Sequence, residues 1–287
     1  MNNDVLLGKN IAFPQRYCKD ILRKMKRGTS EAPYGFDCWY AHEVSFLTSN
    51  GMPVVGVLKI VYPSNSEYII ESKSLKLYLA SFNMEKLGEK WEITGVQAFT
   101  DIIKRDLEEV LECEVKVYLH TDFPIVKSND FTHNCKRYPA LLERTDGADE
   151  WHFDIYNEHP SYLEVGIDKT GGEMEVCTHL LRSNCRITNQ PDWGSVFFHI
   201  KGKQLPSNEA LLKYVVSLRN ENLFHEDVCE LIYKRIFDIF TPELLTVCCI
   251  YAMRGGIDIR PVRSNTFEDL PRLLISETVL TAETFRQ

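Results

Sequence analysis

The chain lacks several features that would assign it to a class at once. Its first ten residues, MNNDVLLGKN, contain neither the basic region nor the long apolar stretch of a secretory signal. The apolar stretch at 244–253 is too short to span a bilayer and is typical of a buried strand. The formal net charge of −8 argues against a broad nucleic-acid-binding surface, which usually needs a basic face. We therefore expect a soluble, cytoplasmic protein with no membrane partner and no direct nucleic-acid partner.

Two other signatures are missing. The sequence contains no glycine-rich dinucleotide fingerprint, so a nicotinamide cofactor cannot be inferred from a Rossmann motif. The nine cysteines are odd in number and accompany no secretory signal, which argues against a disulfide framework. We expect most of them to be buried thiols and one or two to carry chemistry. The 287 residues, 44% of them hydrophobic and 26% charged, suffice for one large globular domain or two of ordinary size.

What is present divides into two halves with the same order of elements. In the first half, alternating apolar stretches at 39–47 and 54–61 predict paired strands with a turn at Asn50-Gly51. A 3.6-residue apolar rhythm from Phe99 to Leu111 predicts an amphipathic helix, and a strand at 114–119 follows. The second half predicts strands, then a helix, then a last strand. These second-half elements lie at 163–167, 173–180, 195–200, 228–240 (the helix) and 244–252.

A short internal repeat links the two halves. SLKLYLASFN, at 74–83, aligns with ALLKYVVSLR, at 210–219, at an offset of 136 positions. Tyr78 thus falls on Tyr214 and Ser81 on Ser217, which indicates a duplicated module. The mixed, polar segment 120–149 predicts the connection between the modules. The expected fold is α+β, with modules at 1–137 and 138–287, each an antiparallel sheet with helices packed on one face.

The segment SNCRITNQPDWGS carries the most suggestive chemistry. Cys185 has polar neighbours, and the adjacent Arg186 can favour the thiolate, which is the nucleophilic form. Asp192 follows seven residues later within a turn-forming stretch, where a carboxyl group can serve a nucleophile as proton donor or acceptor. The alternative is a solvent-facing turn that happens to contain a cysteine and an aspartate.

Three further segments have a functional and an ordinary interpretation. His225-Glu226 in LFHED can bind a ligand, or can be simple first-turn residues of a helix, where acidic residues are favoured. Glu71, followed by Lys73, can belong to a site or to a solvated, charged strand edge. Arg254-Gly255-Gly256 can be a binding loop or only a turn after a strand.

Taken together, these motifs resemble those of a known family. ESKSLKLYLASF, NQPDWGS and FHED resemble the queuosine-pathway nitrile reductases of the tunnelling-fold superfamily, which are relatives of GTP cyclohydrolase. The resemblance extends from LLGKN near the start to GIDIRPVRSN near the end, and the order of motifs is that of the long, bimodular subfamily. The chain departs from the pattern at Arg186, where an apolar or proline residue is expected, and in the long connection between Glu71 and Cys185.

The resemblance implies a reaction. The nitrile of 7-cyano-7-deazaguanine would be reduced to the 7-aminomethyl form, with two NADPH consumed per turnover. Cys185 would add to the nitrile carbon to give a thioimide, and Asp192 would supply the proton, which requires its pKa to be raised above about 3.9. The family also implies a homodimer.

The resemblance implies binding roles as well. Substrate recognition would fall to residues from both halves: Ile70, Glu71, Ser72, His225 and Glu226. The NADPH site would take Ser72, Lys73, Arg254 and Gly255, since cationic side chains suit phosphates and glycine allows close backbone approach. No metal is implied.

Two rival hypotheses stay open on the sequence. A zinc-dependent cyclohydrolase would use His225 and Cys229, which are four residues apart on the predicted helix, together with Cys185. A non-enzymatic module would hold a purine-like ligand without forming a covalent adduct.

Overall fold

The computed structural model describes Leu6, Pro14 and residues 16–88, 94–121 and 140–281. The strands and helices of the first half are β1 (Lys24–Lys26), β2 (Tyr34–Leu47), β3 (Pro53–Pro63), β4 (Tyr68–Ile70), α1 (Ser72–Ala80), α2 (Thr94–Leu111) and β5 (Lys116–His120). Those of the second half are β6 (Ala140–Leu141), α3 (Ser161–Val165), β7 (Ile167–Cys185), β8 (Pro191–Pro206), α4 (Asn208–Ser217), β9 (Asn222–Leu223), α5 (His225–Phe240), β10 (Leu244–Tyr251), β11 (Ile257–Ser264) and α6 (Arg272–Ile275). The expected module boundary at 137/138 lies outside the described residues.

The predicted strands and helix of the first half are confirmed. β2 and β3 form an antiparallel hairpin, and Gly51 in the connecting turn has a φ of 88°, a conformation that glycine adopts without strain. α2 carries Phe99, Ile103, Leu107 and Leu111 on its buried face, as the apolar rhythm predicts. β5 follows α2 directly and pairs with β3.

One sheet runs through both halves. The strand order is β5-β3-β2-β11-β10-β8-β7-β6, with β9 also paired to β7, and β2 is antiparallel to β11 with Trp39 opposite Ile259. β6 and β9 both pair in parallel with β7, whereas the other paired strands named here are antiparallel within the described residues. The α+β expectation is confirmed, and the structure adds that the two modules share a single sheet, with the β2–β11 pair at their joint.

The helices cover one face of this sheet. α1 packs on β2, α4 on β7, and α5 on β10 and β11, so that each half has an apolar core between helices and sheet. Part of the opposite face is covered by the C-terminal segment, whose Leu270 and Leu274 pack against Cys38 and Phe197. None of the helices in the described part of the chain has the length and apolar character needed to cross a membrane.

The internal repeat corresponds to two matching helices. Tyr78 and Tyr214 are both fully buried, in α1 and α4 respectively. Ser81 Oγ donates to Tyr78 O at 2.6 Å, and Ser217 Oγ donates to Tyr214 O at 2.7 Å. The duplication inferred from the sequence therefore appears as the same local hydrogen bond at the same offset of 136 positions.

Two predicted elements of the second half are wrong. The expected strand at 163–167 is the short helix α3, because only Leu163 of its alternating apolar residues is buried, while Val165 is 83% exposed. The strand at 244–252 is present as β10 but is not the last, since β11 follows it. β11 has no alternating pattern because all eight of its residues are buried, Arg260 and Arg263 among them.

Candidate active site

The hairpin between β7 and β8 sets the positions of Cys185 and Asp192. Cys185 ends β7, its N–H donates to Gln190 O at 2.8 Å, and Asn189 takes the left-handed conformation (φ 55°) that asparagine tolerates. Ser183 lies directly opposite Asp192. Since opposed residues share a face and Cys185 lies two residues after Ser183, the thiol and the Asp192 carboxyl group lie on the same face. Asp192 lies within β8 and not in the turn itself.

Asp192 is bound by two cationic or potentially cationic groups. Arg254 Nη1 donates to Asp192 Oδ1 at 2.6 Å, and His225 Nε2 lies 3.3 Å from Oδ2. Burial raises the pKa of the Asp192 carboxyl group, but His225 and Arg254 outweigh it, so the net pKa lies below the usual value. The expectation of a raised pKa is therefore wrong, because burial comes with two partners that favour the carboxylate.

His225 and Glu226 open α5, as their positions before the apolar rhythm suggest. The His225 ring stacks on Tyr251 at a centroid distance of 3.8 Å, which fixes its plane beside Asp192. His225 Nδ1 is buried and has no hydrogen-bond partner among the described residues.

Glu226 is 3% exposed, and it is not an ordinary solvated first-turn residue. Burial and the nearby charge of Asp37 raise its pKa to about 8. Asp37 is itself fully buried and accepts from Arg27 Nη2 at 2.6 Å and Arg263 Nη1 at 3.0 Å. A neutral carboxyl group at the wall of the cavity thus lies near a paired, charged cluster.

Glu71 is a site residue from the first half of the chain. It is the N-cap of α1, where Glu71 Oε2 accepts from Ser74 N at 2.6 Å, so the strand-edge alternative is wrong. The residue is fully buried, yet Oε1 has no hydrogen-bond partner within the described ranges. A carboxylate oxygen buried without a partner is costly, and a ligand that donates a hydrogen bond would relieve that cost.

These groups surround one cavity at the joint between the modules. It encloses about 710 Å³ of empty space, part of it open to solvent. Eight of the predicted site residues line it: Ile70, Glu71, Ser72, Cys185, Asp192, His225, Glu226 and Arg254. Lys73 and Gly255 do not line it, although Gly255 belongs to the Gly255-Gly256 turn beside it, where both glycines have positive φ.

Several lining residues were not predicted from the sequence: Met25, Trp39, Ile69, Lys76, Leu223, Phe224, Ile257 and Ile259. Lys76 lies one helical turn after Ser72, so helical spacing from the ESKS motif could have found it. Its Nζ donates to Arg254 O at 2.7 Å, and burial together with the Arg254 charge lowers its pKa. Trp39, Ile257 and Ile259 come from the β2–β11 joint, and a pairing between distant strands leaves no local signal.

Arg186, which departs from the family pattern, contacts the start of α5. Its Nη1 lies 3.8 Å from Asp227 Oδ2 and its guanidinium lies 5.7 Å from the centre of the Phe224 ring. Its side chain is 58% exposed. The residue therefore links the β7–β8 turn to the helix that carries His225 and Glu226.

The ligand set of the zinc hypothesis does not gather in the described part of the chain. Cys229 is fully buried, and its Sγ donates to Val247 O and Pro261 O at 3.5 Å. The described residues with metal-compatible spacing are instead Glu173, Glu175 and His199. Burial lowers the pKa of His199, but hydrogen bonds with Asp269 and Glu173 outweigh it and raise the pKa to about 9. His199 is thus protonated at neutral pH, and this group is an ion-paired cluster.

Comparisons with known proteins agree with the two-module layout. A family model described as "Nitrile reductase, 7-cyano-7-deazaguanine-reductase N-term" matches residues 15–119, and one described as "QueF-like protein" matches residues 191–269. The NADPH-dependent 7-cyano-7-deazaguanine reductases of Acinetobacter baumannii strains AYE and ACICU are each 35% identical over 279 residues, which is 93% of this chain and 95% of theirs. Cys185 lies between the two model matches.

A solved structure was also matched. The apo form of the archaeosine synthase QueF-Like is 16% identical and aligns with 34% of this chain and 94% of its own, at a TM-score of 0.29, too low to bear on the fold. The family assignment rests on the sequence matches. The chain is a two-module α+β enzyme whose cavity takes residues from both halves. The chain belongs to the 7-cyano-7-deazaguanine nitrile reductase family, in its long form.

Proposed function

We propose that this chain catalyses the NADPH-dependent reduction of the nitrile of 7-cyano-7-deazaguanine to the 7-aminomethyl group, in the pathway to queuosine in tRNA. The observation that carries this proposal is the single cavity in which Cys185 and Asp192 face the carboxyl groups of Glu71 and Glu226. A nucleophile with an adjacent acid–base group serves the chemistry, and carboxyl groups from both modules serve the N–H donors of the base.

The first step is the addition of Cys185 to the nitrile. The thiol proton passes to the Asp192 carboxylate, the sulfur forms a bond to the nitrile carbon, and the displaced π electrons go to nitrogen. Asp192 then returns the proton to that nitrogen, which gives the neutral thioimide. The lowered pKa of Asp192 suits this order, because a carboxylate is needed first and an acid only after the transfer.

The following steps complete the reduction. NADPH supplies the hydride when bound, and two equivalents are required per nitrile. After the first hydride and one proton have added, the Cys185 thiolate would leave the hemithioaminal to give an imine, which a second hydride and proton would convert to the primary amine. The apolar wall of the cavity, with Ile70, Ile257 and Ile259, would keep water from hydrolysing the thioimide or the imine.

Recognition of the base falls to both modules. Glu226 would accept from the base's N–H groups as a carboxylate, with His225 beside it, while Glu71 Oε1 offers a second acceptor from α1. Ile70 and Ser72 flank Glu71 in the cavity wall. Charged acceptors against neutral donors give strong hydrogen bonds in a site from which water is excluded.

The residues at the rim fit the phosphates of NADPH. Arg254 is 42% exposed at its side chain, Lys76 lies against it, and a β-carbon at Gly255 would come within 2.9 Å of Lys76 Nζ. Two adjacent cationic groups beside a glycine turn offer charge and close backbone approach. Ser72, Lys73, Arg254 and Gly255 remain our proposed cofactor residues, and a homodimer in the cytoplasm our proposed assembly and location.

The test is adduct formation without cofactor. Protein mixed with 7-cyano-7-deazaguanine should gain the mass of one ligand, with a change in absorbance, and NADPH should discharge it. Cys185→Ala should give no adduct, whereas Cys18→Ala, which changes a cysteine outside the cavity, should behave as the parent. Binding without an adduct in the folded, reduced parent would leave only the non-enzymatic module.

A further inference from the structure

Trp39 stands out in the wall of the cavity. It lies on β2 at the joint between the modules, directly opposite Ile259 of β11, and its side chain is 1% exposed. Its indole Nε1 has no hydrogen-bond partner within the described ranges of the chain. The wall around it is apolar, formed by Ile70, Ile257 and Ile259.

An unpaired buried donor of this kind calls for a physical reason. Leaving a buried N–H unsatisfied costs free energy, and a phenylalanine would fill such a site without that cost. The cavity contains two other buried polar atoms without partners in the described residues, Glu71 Oε1 and His225 Nδ1. Three residues around one cavity thus carry buried polar atoms that a ligand could pair.

The hydrogen-bonding groups of Glu71, Glu226 and Trp39 are complementary to those of a guanine-type base. Glu71 and Glu226 accept hydrogen bonds and so match the N–H donors of such a base. In the ionised form that accepts from these N–H groups, neither carboxylate can serve the 6-carbonyl oxygen, which is an acceptor beside the ring N1–H. The indole N–H is a donor only, and Trp39 lines the cavity together with the apolar side chains of Ile257 and Ile259.

We propose that Trp39 is a specificity-determining residue whose indole N–H donates to the 6-carbonyl oxygen of the bound base. The assignment rests on the proposed function, because it takes the 7-cyano-7-deazaguanine base as the ligand. A 6-amino group at the same position would place a donor against a donor, so the site would reject it. Sites built to pair a buried polar group discriminate strongly against ligands that leave it unpaired.

The experiment measures affinity in the Cys185→Ala background, so that binding is separated from adduct formation. Isothermal titration compares 7-cyano-7-deazaguanine with its 2,6-diamino counterpart, in which an amino group replaces the 6-carbonyl. Trp39→Phe should weaken binding of the 6-carbonyl ligand by about tenfold, the equivalent of about 1.4 kcal/mol. Binding of the diamino ligand should not weaken, because the variant also removes the donor that opposes its 6-amino group. Selectivity therefore falls about tenfold.

A matched control and an isosteric variant sharpen the result. Tyr233 is also 1% exposed with an unpartnered hydroxyl in the described structure, but it lies outside the cavity, so Tyr233→Phe should change neither affinity. Replacement of Trp39 by benzothienylalanine, which exchanges only the N–H for sulfur, should repeat the loss of selectivity even where the phenylalanine variant fails to fold.

The outcomes separate this inference from the proposed function. Equal weakening of both ligands, or no weakening, overturns the role of Trp39 while base binding stands. Failure of the Cys185→Ala protein to bind the 6-carbonyl ligand at all overturns the proposed function, and the Trp39 assignment with it.

Discussion

α1 and α4 are copies of one element, and the difference between them shows how the duplication was used. Glu71 caps α1 and Ser207 caps α4 at the same repeat offset, and each accepts the hydrogen bond of the N–H three residues later. The serine hydroxyl satisfies the helix end and does nothing more for the cavity. The glutamate satisfies the helix end with one oxygen and leaves the second in the cavity wall. Under the function we propose, the capping position is also a binding position in one module only.

The same division holds for the rest of the site. The second module supplies Cys185 and Asp192 from its hairpin and His225 and Glu226 from α5, while the first supplies Glu71 and Trp39. Since β2 and β11 belong to one sheet, the two contributions are held in register by backbone hydrogen bonds across the joint. We propose that the second module supplies the chemistry and that both modules share recognition of the base.

The largest effect is expected at Asp192. Asp192→Asn removes the group that moves the proton from the thiol to the nitrile nitrogen, so the rate of thioimide formation should fall by about 10²–10⁴-fold. Stopped-flow absorbance at saturating 7-cyano-7-deazaguanine measures this rate. Asp101→Asn, on α2 of the first module and outside the cavity, should leave it unchanged. A fall of less than tenfold at Asp192 would place the proton transfer elsewhere.

The second-largest effect is expected when the N-cap residue of α1 is replaced by that of α4. Glu71→Ser installs the α4 cap on α1, so the helix end stays satisfied while the cavity loses a charged acceptor. Hydrogen bonds to charged groups contribute about 1.5–3 kcal/mol, so the affinity for the base should fall about 10- to 100-fold. Titration in the Cys185→Ala background gives the affinity, and thermal unfolding should move little. Unchanged affinity would mean that Glu71 is only a cap.

The sequence could supply much of this site, and the reasons for the rest are physical. Glu71, Cys185, Asp192 and His225-Glu226 each lie in a local motif, and the structure brings all of them to one cavity. Trp39 could not be found this way, because its place in the wall depends on a strand pairing over more than two hundred residues. The prediction of a raised pKa for Asp192 was wrong for a related reason. Burial or a neighbouring thiolate raises the pKa of a carboxyl group, but the Arg254 and His225 partners that lower it are set by tertiary structure.

The fold predictions were wrong at two segments where the alternation of apolar residues does not follow burial. β11 is buried on both faces, so its sequence IDIRPVRS shows no apolar period, and its arginines are satisfied by Asp258, Asp37 and Glu230. At 163–167 the opposite occurred, since alternating apolar residues are mostly exposed and the chain forms α3. Periodicity reports burial on one face, and neither segment has that environment.

The third effect concerns the ionisation of Glu226. Its pKa of about 8 keeps it protonated in the free protein at neutral pH, whereas the base needs the carboxylate. Binding must therefore release a proton below pH 8, and the affinity should rise with pH by up to about tenfold per unit until it levels near pH 8. Titrations in buffers of different ionisation enthalpy count the released proton. Glu226→Gln should bind weakly with a flat profile, and a flat profile in the parent would contradict the assignment.

The smallest effect is expected at Ser207, the N-cap of α4. Ser207 Oγ accepts from Ala210 N at 3.1 Å, and loss of this bond in Ser207→Ala should lower the free energy of unfolding by about 1 kcal/mol. Denaturant unfolding measures that change, and the affinity for the base should stay at the parent value because Ser207 does not line the cavity. Glu71→Ser should show the reverse pattern, with affinity lost and stability kept. A loss of affinity in Ser207→Ala would mean that the two caps are coupled through the shared sheet, and the division of labour between the modules would not hold.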